Sequence, residues 1–166
     1  MKTLFLVRHA KSSWAILGQR DHERSLELRG HNDAPRMAKY LKQLGIKPDL
    51  IVSSPAVRAR TTAEYFAKEF GIDPQHIDIQ QDVYEADERD IANVIRSLPD
   101  ESYTVLLFGH NPTFTYVADS YSKEVRFENL PTCGIVQIEQ NTEGGTWDKF
   151  NPKTAEVKGF WFPKTI

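Results

Sequence analysis

Thr3-Leu4-Phe5-Leu6-Val7-Arg8-His9-Ala10, near the start of the chain, holds five residues that read as a strand followed by two, Arg8 and His9, that do not belong in a core. The run from Thr3 to Val7 has no alternation of apolar and polar positions. That pattern predicts a strand buried on both faces, as in a parallel sheet. Arg8 and His9 then place a cation and an imidazole at its carboxyl end. The apolar run is too short for a secretory segment or a membrane span, and no other window is long enough.

Outward from this strand, the chain alternates. Residues 10 to 25 are polar and irregular. A helix is predicted where Met37, Tyr40, Leu41 and Leu44 recur at helical spacing, ending at Gly45, with Pro35 either starting or kinking its regular part. Asp49 to Val52 predicts a second strand. Ser53-Ser54-Pro55 offers a cap followed by a proline for a helix carrying Ala59, Ala63, Phe66 and Phe70. A short strand over Ile77 to Ile79 precedes a helix marked by Ile91, Val94, Ile95 and Leu98. Tyr103 to Phe108 is another strongly apolar strand, followed by Asn111-Pro112 as a second cap and proline, then Phe114, Val117, Ala118 and Tyr121 as a helical stripe. Further strands are expected around Ile135 to Ile138, Thr146 to Phe150 and Glu156 to Phe162. The expectation is an α/β three-layer sandwich, with a mostly parallel central sheet and helices on both faces. A length of 166 residues without repeat or linker predicts a single domain over 1–166.

Composition narrows function further. With 27% charged residues and a net charge of -2, the chain has no basic footprint for nucleic acid. A few arginines in one pocket can still attract an anion. The single cysteine, Cys133, excludes an internal disulfide and is expected to be a small buried residue entering a late strand. A cytoplasmic domain with no membrane partner is the expectation.

Three strand ends carry polar residues: Arg8-His9, then Ser53-Ser54-Pro55 with Arg58 one turn on, then Gly109-His110. Ligands in open α/β sheets bind beyond the carboxyl ends of strands. Two arginines, two histidines and helix N-termini near Ser54 and Asn111 suit a tetrahedral phosphate. A neutral imidazole can attack phosphorus, and cationic neighbours favour the neutral form. Arg60 rivals Arg58, and the Ser-Pro-x-x-Arg spacing selects Arg58. His22, His31 and His76 lie in polar segments and read as surface residues. Trp14, Trp147 and Trp161 read as core or rim packing.

Arg8-His9-Ala10, Ser54-Pro55-x-x-Arg58-Ala59-x-x-Thr62 and Gly109-His110-Asn111-Pro112 resemble the three signatures of the histidine phosphatase superfamily. Lys11 to Trp14, Asp21 to Gly30 and Asp33 to Met37 extend the likeness toward its small SixA-type phosphohistidine phosphatase branch. The resemblance implies a phosphoglycerate mutase-like fold. It implies His9 as the phosphorylated nucleophile, with Arg8, Arg58 and His110 as the phosphate-binding set. No carboxylate cluster or phosphate-cradling lysine loop suggests magnesium, so no cofactor or metal is expected. The resemblance also puts Ser12 near the phosphate, with a loop or capping serine as the competing reading, and makes Glu85 the best match for the family's proton donor. Glu85 stands among Asp82, Asp87, Glu88 and Asp90, and a solvated acidic turn is the competing reading.

The implied substrate is a phosphorylated protein, such as a histidine phosphotransfer domain. A small phosphorylated metabolite hydrolysed as a phosphomonoester is the alternative. A mutase fits less well, because those chains are longer and carry Asn where this one has Ala15. A non-catalytic phosphoprotein-binding regulator would not need His9.

Overall fold

The computed structural model describes residues 1–166. Six strands, β1 (Thr3–Arg8), β2 (Leu50–Ser53), β3 (Asp78–Ile79), β4 (Thr104–Gly109), β5 (Ile135–Gln140) and β6 (Ala155–Trp161), form one sheet in the order β3-β2-β4-β1-β5-β6. β1, β2, β3 and β4 pair in parallel, whereas β5 is antiparallel to both β1 and β6. The sheet is therefore mostly parallel, as expected.

Side-chain alternation along β1 explains the three layers. Phe5 and Val7 face a core shared with α1 (Leu28–Gln43) and α2 (Val57–Glu69), where Met37, Leu41 and Phe66 pack. Leu4 and Leu6 face the opposite core, shared with α3 (Glu88–Arg96) and α4 (Thr113–Tyr121), where Ile91, Val94 and Phe114 pack. A strand buried on both sides needs a continuous apolar run, and burial of each large side chain contributes about 1.5–3 kcal/mol.

Several local expectations change. Thr146 to Phe150 is not a strand: Trp147–Lys149 forms a 3-10 turn. Trp147 and Phe150 are three residues apart and both buried, which a helical turn permits and a strand would oppose. The Trp147 indole also donates to the Ser102 carbonyl at 2.8 Å. Pro35 does not start its helix, which begins at Leu28 and runs through it. The stripe also stops short, since Leu44 is exposed. α2 begins at Val57 after Ala56, so neither Ser54 caps it nor Pro55 occupies its first position. Pro112 likewise precedes α4, although the Asn111 Oδ1 still accepts from the Thr115 amide at 3.2 Å.

Two glycines set close approaches near the carboxyl ends of the central strands. A side chain on Gly109 would meet the Phe114 ring at 2.4 Å, so this glycine lets α4 fold back against the end of β4. On Gly30 it would meet the Lys11 carbonyl at 2.3 Å, so the start of α1 lies directly against the segment that follows β1. No helix is long and apolar enough to cross a membrane.

Candidate active site

Strand order brings the three polar strand ends together. β4 lies between β1 and β2; Arg8 is level with Gly109, and Ser53 with Phe108. The residues that follow, His9, Ser54 and His110, therefore leave the sheet side by side. The His9 and His110 ring centroids are 5.3 Å apart. Arg8, His9, Arg58 and His110 line one pocket of about 290 Å³, as the sequence predicts, and Ser12 lines it too. Arg58 is buried and Arg60 exposed, which separates those rivals.

His9 is held through its backbone. Its amide donates to the Gly109 carbonyl at 3.1 Å, and its carbonyl accepts from the Cys133 amide at 3.0 Å. The imidazole Nδ1 lies 2.7 Å from the Ala10 carbonyl. A carbonyl only accepts, so Nδ1 carries the proton and Nε2 the lone pair. Burial, with smaller contributions from His110, Arg58 and Arg8, lowers the His9 pKa to about 3 against the opposing Ala10 hydrogen bond. Neutral imidazole is the resting form at neutral pH.

His110 is also lowered to about 3, first by burial and then by Arg58. Its Nε2 lies 2.8 Å from the Ser54 hydroxyl, which accepts from the Ala56 amide at 3.1 Å. A hydroxyl proton donated to Nε2 leaves Nδ1–H free to serve an anion. Ser54 thus orients the second histidine instead of capping α2.

The buried side-chain polar atoms without a hydrogen-bond partner are Arg8 Nε, Arg58 Nε and His110 Nδ1. All three belong to residues of this pocket. Buried donors are normally paired, so this concentration marks a site built for an acceptor-rich group. Thr62, fully buried, joins the pocket's walls: its hydroxyl accepts from the Ala10 amide at 3.0 Å and donates to the Arg58 carbonyl at 2.7 Å. The four-residue spacing in Arg58-Ala59-x-x-Thr62 is what makes that bridge reach.

Other residues enter that sequence reasoning did not assign. Asp21 accepts from Arg58, Arg24 and the Tyr84 hydroxyl. Burial opposes ionisation, yet the hydrogen bonds from Tyr84 and Arg58 hold its carboxyl well below the usual carboxylate range. Asp21 in turn, with burial the larger cause, pushes Tyr84 up to about 12. Arg24 donates to the buried Ser12 hydroxyl at 2.8 Å and stacks over the exposed Trp14 ring at 3.6 Å. Trp14 is thus a rim residue, Trp147 a core one. His22, His31 and His76 are exposed, and Cys133 is buried immediately before β5.

Glu85 does not line the phosphate-sized pocket. It is exposed, with φ of 54°, at an adjoining pocket of about 310 Å³ that shares His110 and Asn111. No group of three or more His, Cys, Asp or Glu side chains is placed to hold a metal ion.

Comparison with known proteins gives a consistent picture. A family model for the histidine phosphatase superfamily (branch 1) matches residues 4–100. An uncharacterised chloroplast protein of Arabidopsis thaliana is 32% identical over 157 residues, which cover 89% of this chain and 70% of the plant protein. The crystal structure of a candidate phosphohistidine phosphatase SixA from Agrobacterium tumefaciens superposes with a TM-score of 0.81 at 29% identity, over 98% of each chain. The 2,3-bisphosphoglycerate-dependent phosphoglycerate mutase of Bartonella tribocorum is 34% identical, over 74 residues that make up 42% of this chain and 35% of the mutase.

Proposed function

Because this chain belongs to the histidine phosphatase superfamily and is a phosphatase, we propose that His9 accepts the phosphoryl group and that the donor is a phosphohistidine on a protein. The observation that carries this reading is the trio of unpaired buried donors on Arg8, Arg58 and His110 beside a histidine whose Nε2 lone pair is free.

In the first step, Nε2 of His9 forms a bond to phosphorus as the bond from phosphorus to the leaving nitrogen breaks. Charge on the three equatorial oxygens is met by the guanidinium groups and by His110 Nδ1–H, fixed in place before reaction, and no metal is required for that role. In the second step, water attacks phosphorus, the bond to Nε2 breaks, and orthophosphate leaves as H2PO4− with the oxygen and both protons of water. His9 regains its lone pair, and its Nδ1–H stays on the Ala10 carbonyl throughout.

The pocket's own carboxylate favours a nitrogen leaving group. Asp21 is the acidic residue in its lining, and it is held ionised by Arg58 and Tyr84, so it has no proton to give. An alkoxide needs such a proton far more than an imidazole does. The similarity to a structure described as SixA supports the same choice. Hydrolysis of a small phosphomonoester is the second reading, with Glu85 reaching over His110 as its acid.

The test is incubation with a phosphorylated histidine phosphotransfer protein, a panel of phosphoserine, phosphothreonine and phosphotyrosine peptides, and sugar phosphates, with quenching to trap phosphoenzyme. The expected result is fast turnover of phosphohistidine and an acid-labile, alkali-stable phosphoenzyme that His9→Ala cannot form. Full turnover by His9→Ala would end the reading.

A further inference from the structure

Beside the catalytic pocket, and sharing Arg8, Lys11 and Thr132 with it, lies a wider groove of about 760 Å³. Its walls add Arg29, Arg36 and Lys164, against one acidic side chain, Asp33. On a chain of net charge -2, five cations around one groove are a strong local excess.

The arginines are held in place and only partly neutralised, because two of them share a single acidic side chain. Arg29, Asp33 and Arg36 share one face of α1. Asp33 is 3.7 Å from Arg29 and 3.8 Å from Arg36, beyond hydrogen-bond reach, and its side chain is mostly covered. Arg29 donates to the Thr132 hydroxyl at 3.2 Å, and Arg36 to the Pro163 carbonyl at 2.6 Å. Their side chains remain 59% and 51% exposed, so most of their donors are available to a partner.

We propose that this groove docks carboxylates that flank the phosphohistidine on an acidic face of the substrate protein, which rests on the phosphohistidine reading above. Spacing favours a protein face over the second phosphate of a small molecule. Arg29 and Arg36 are seven positions apart on α1, about 10 Å along the axis, whereas a single phosphate needs convergent donors such as those around His9. Half-exposed arginines suit separate, solvated carboxylates, each adding little and all together steering approach. Arg8, common to both cavities, sets the reacting phosphoryl group beside the docked face.

The test uses three probes: a phosphohistidine peptide with aspartates and glutamates on both sides, the same peptide with alanines there, and phosphoimidazole, which has no second anionic group. The wild-type protein should prefer the acidic peptide in kcat/KM by about tenfold at low salt, and the preference should fade as salt rises. Arg29→Ala/Arg36→Ala should lose it while turning over phosphoimidazole as before, and Arg29→Lys/Arg36→Lys should keep most of it. Equal preference in the alanine variant, or none in the wild type, overturns the proposal. So does tighter competition by a small bisphosphate than by the unphosphorylated acidic peptide. Failure of all phosphohistidine probes would instead refute the substrate reading. Anisotropy of the labelled, unphosphorylated acidic peptide then decides the groove separately: weaker binding to the alanine variant supports it, and equal binding overturns it.

Discussion

Asp21 grips Arg58 at two points, with its Oδ2 2.9 Å from Nη2 and its own carbonyl accepting from Nη1 at 2.7 Å. An anion therefore occupies the guanidinium that we assign to phosphate. Asp21 both aims Arg58 and opposes the charge of an incoming substrate. Asp21→Asn keeps a carbonyl oxygen for Arg58 while removing the charge. Orthophosphate inhibition should then strengthen by roughly three- to tenfold, the scale of a partly exposed charge pair. Unchanged or weaker inhibition in steady-state assays would sink the competition.

Thr62 is the strut between the nucleophile's segment and the helix of Arg58. Thr62→Val has the same shape but leaves the Ala10 amide buried without an acceptor. Urea unfolding should show a loss of about 1–3 kcal/mol. The folded variant should also lose kcat several-fold, because His9 and Arg58 no longer share a reference point. Thr62→Ser should restore both quantities. A destabilised variant with unchanged kcat would make the bridge purely structural.

The apolar strands were legible because burial on both faces leaves no room for polar residues, as in Leu4 to Val7 and Val105 to Phe108. The site's main residues were legible because parallel strands end together, so Arg8, Ser54 and His110 had to meet. Asp21 was not. It opens a single 3-10 turn, Asp21–Glu23, whose position is set by Arg58, 37 residues away, and by Tyr84, 63 residues away. No local period encodes such contacts. Ser54 departs from its cap-like sequence for a related reason: a serine before a proline looks like a cap until His110 arrives from β4 to claim its hydroxyl. Trp147 and Phe150 lie in a stretch short enough to suit a strand, yet their three-residue spacing fits one helical turn.

Glu85 offers a direct separation of the two substrate readings. It adjoins His110 from a neighbouring pocket, and its backbone lies in the left-handed region. Glu85→Gln preserves shape and backbone demand, whereas glycine would relax the turn and confuse the result. Hydrolysis of an alkyl phosphomonoester such as phosphoserine should fall on the order of 100-fold, the usual contribution of a general acid. Phosphohistidine hydrolysis should be unchanged. If neither rate moves, Glu85 belongs to the acidic turn alone.

Acid should cost this protein stability before it costs His9 its nucleophilicity. In the folded chain His9 and His110 both titrate at about 3, while in the unfolded chain they return to about 6.5. Between those values the unfolded state holds protons that the folded state refuses, so stability falls as pH drops through 6.5 and continues falling toward 3. At pH 5 the loss is on the order of 1–2 kcal/mol for each histidine. Urea unfolding at pH 7 and pH 5 should show this gap, and His110→Asn should narrow it by its own share. Over the same range, single-turnover phosphorylation of His9, corrected for ionisation of the substrate, should stay flat. A rate limb centred near 6.5 would mean that the folded pocket protonates His9 readily, and attack by a resting neutral imidazole would have to be abandoned.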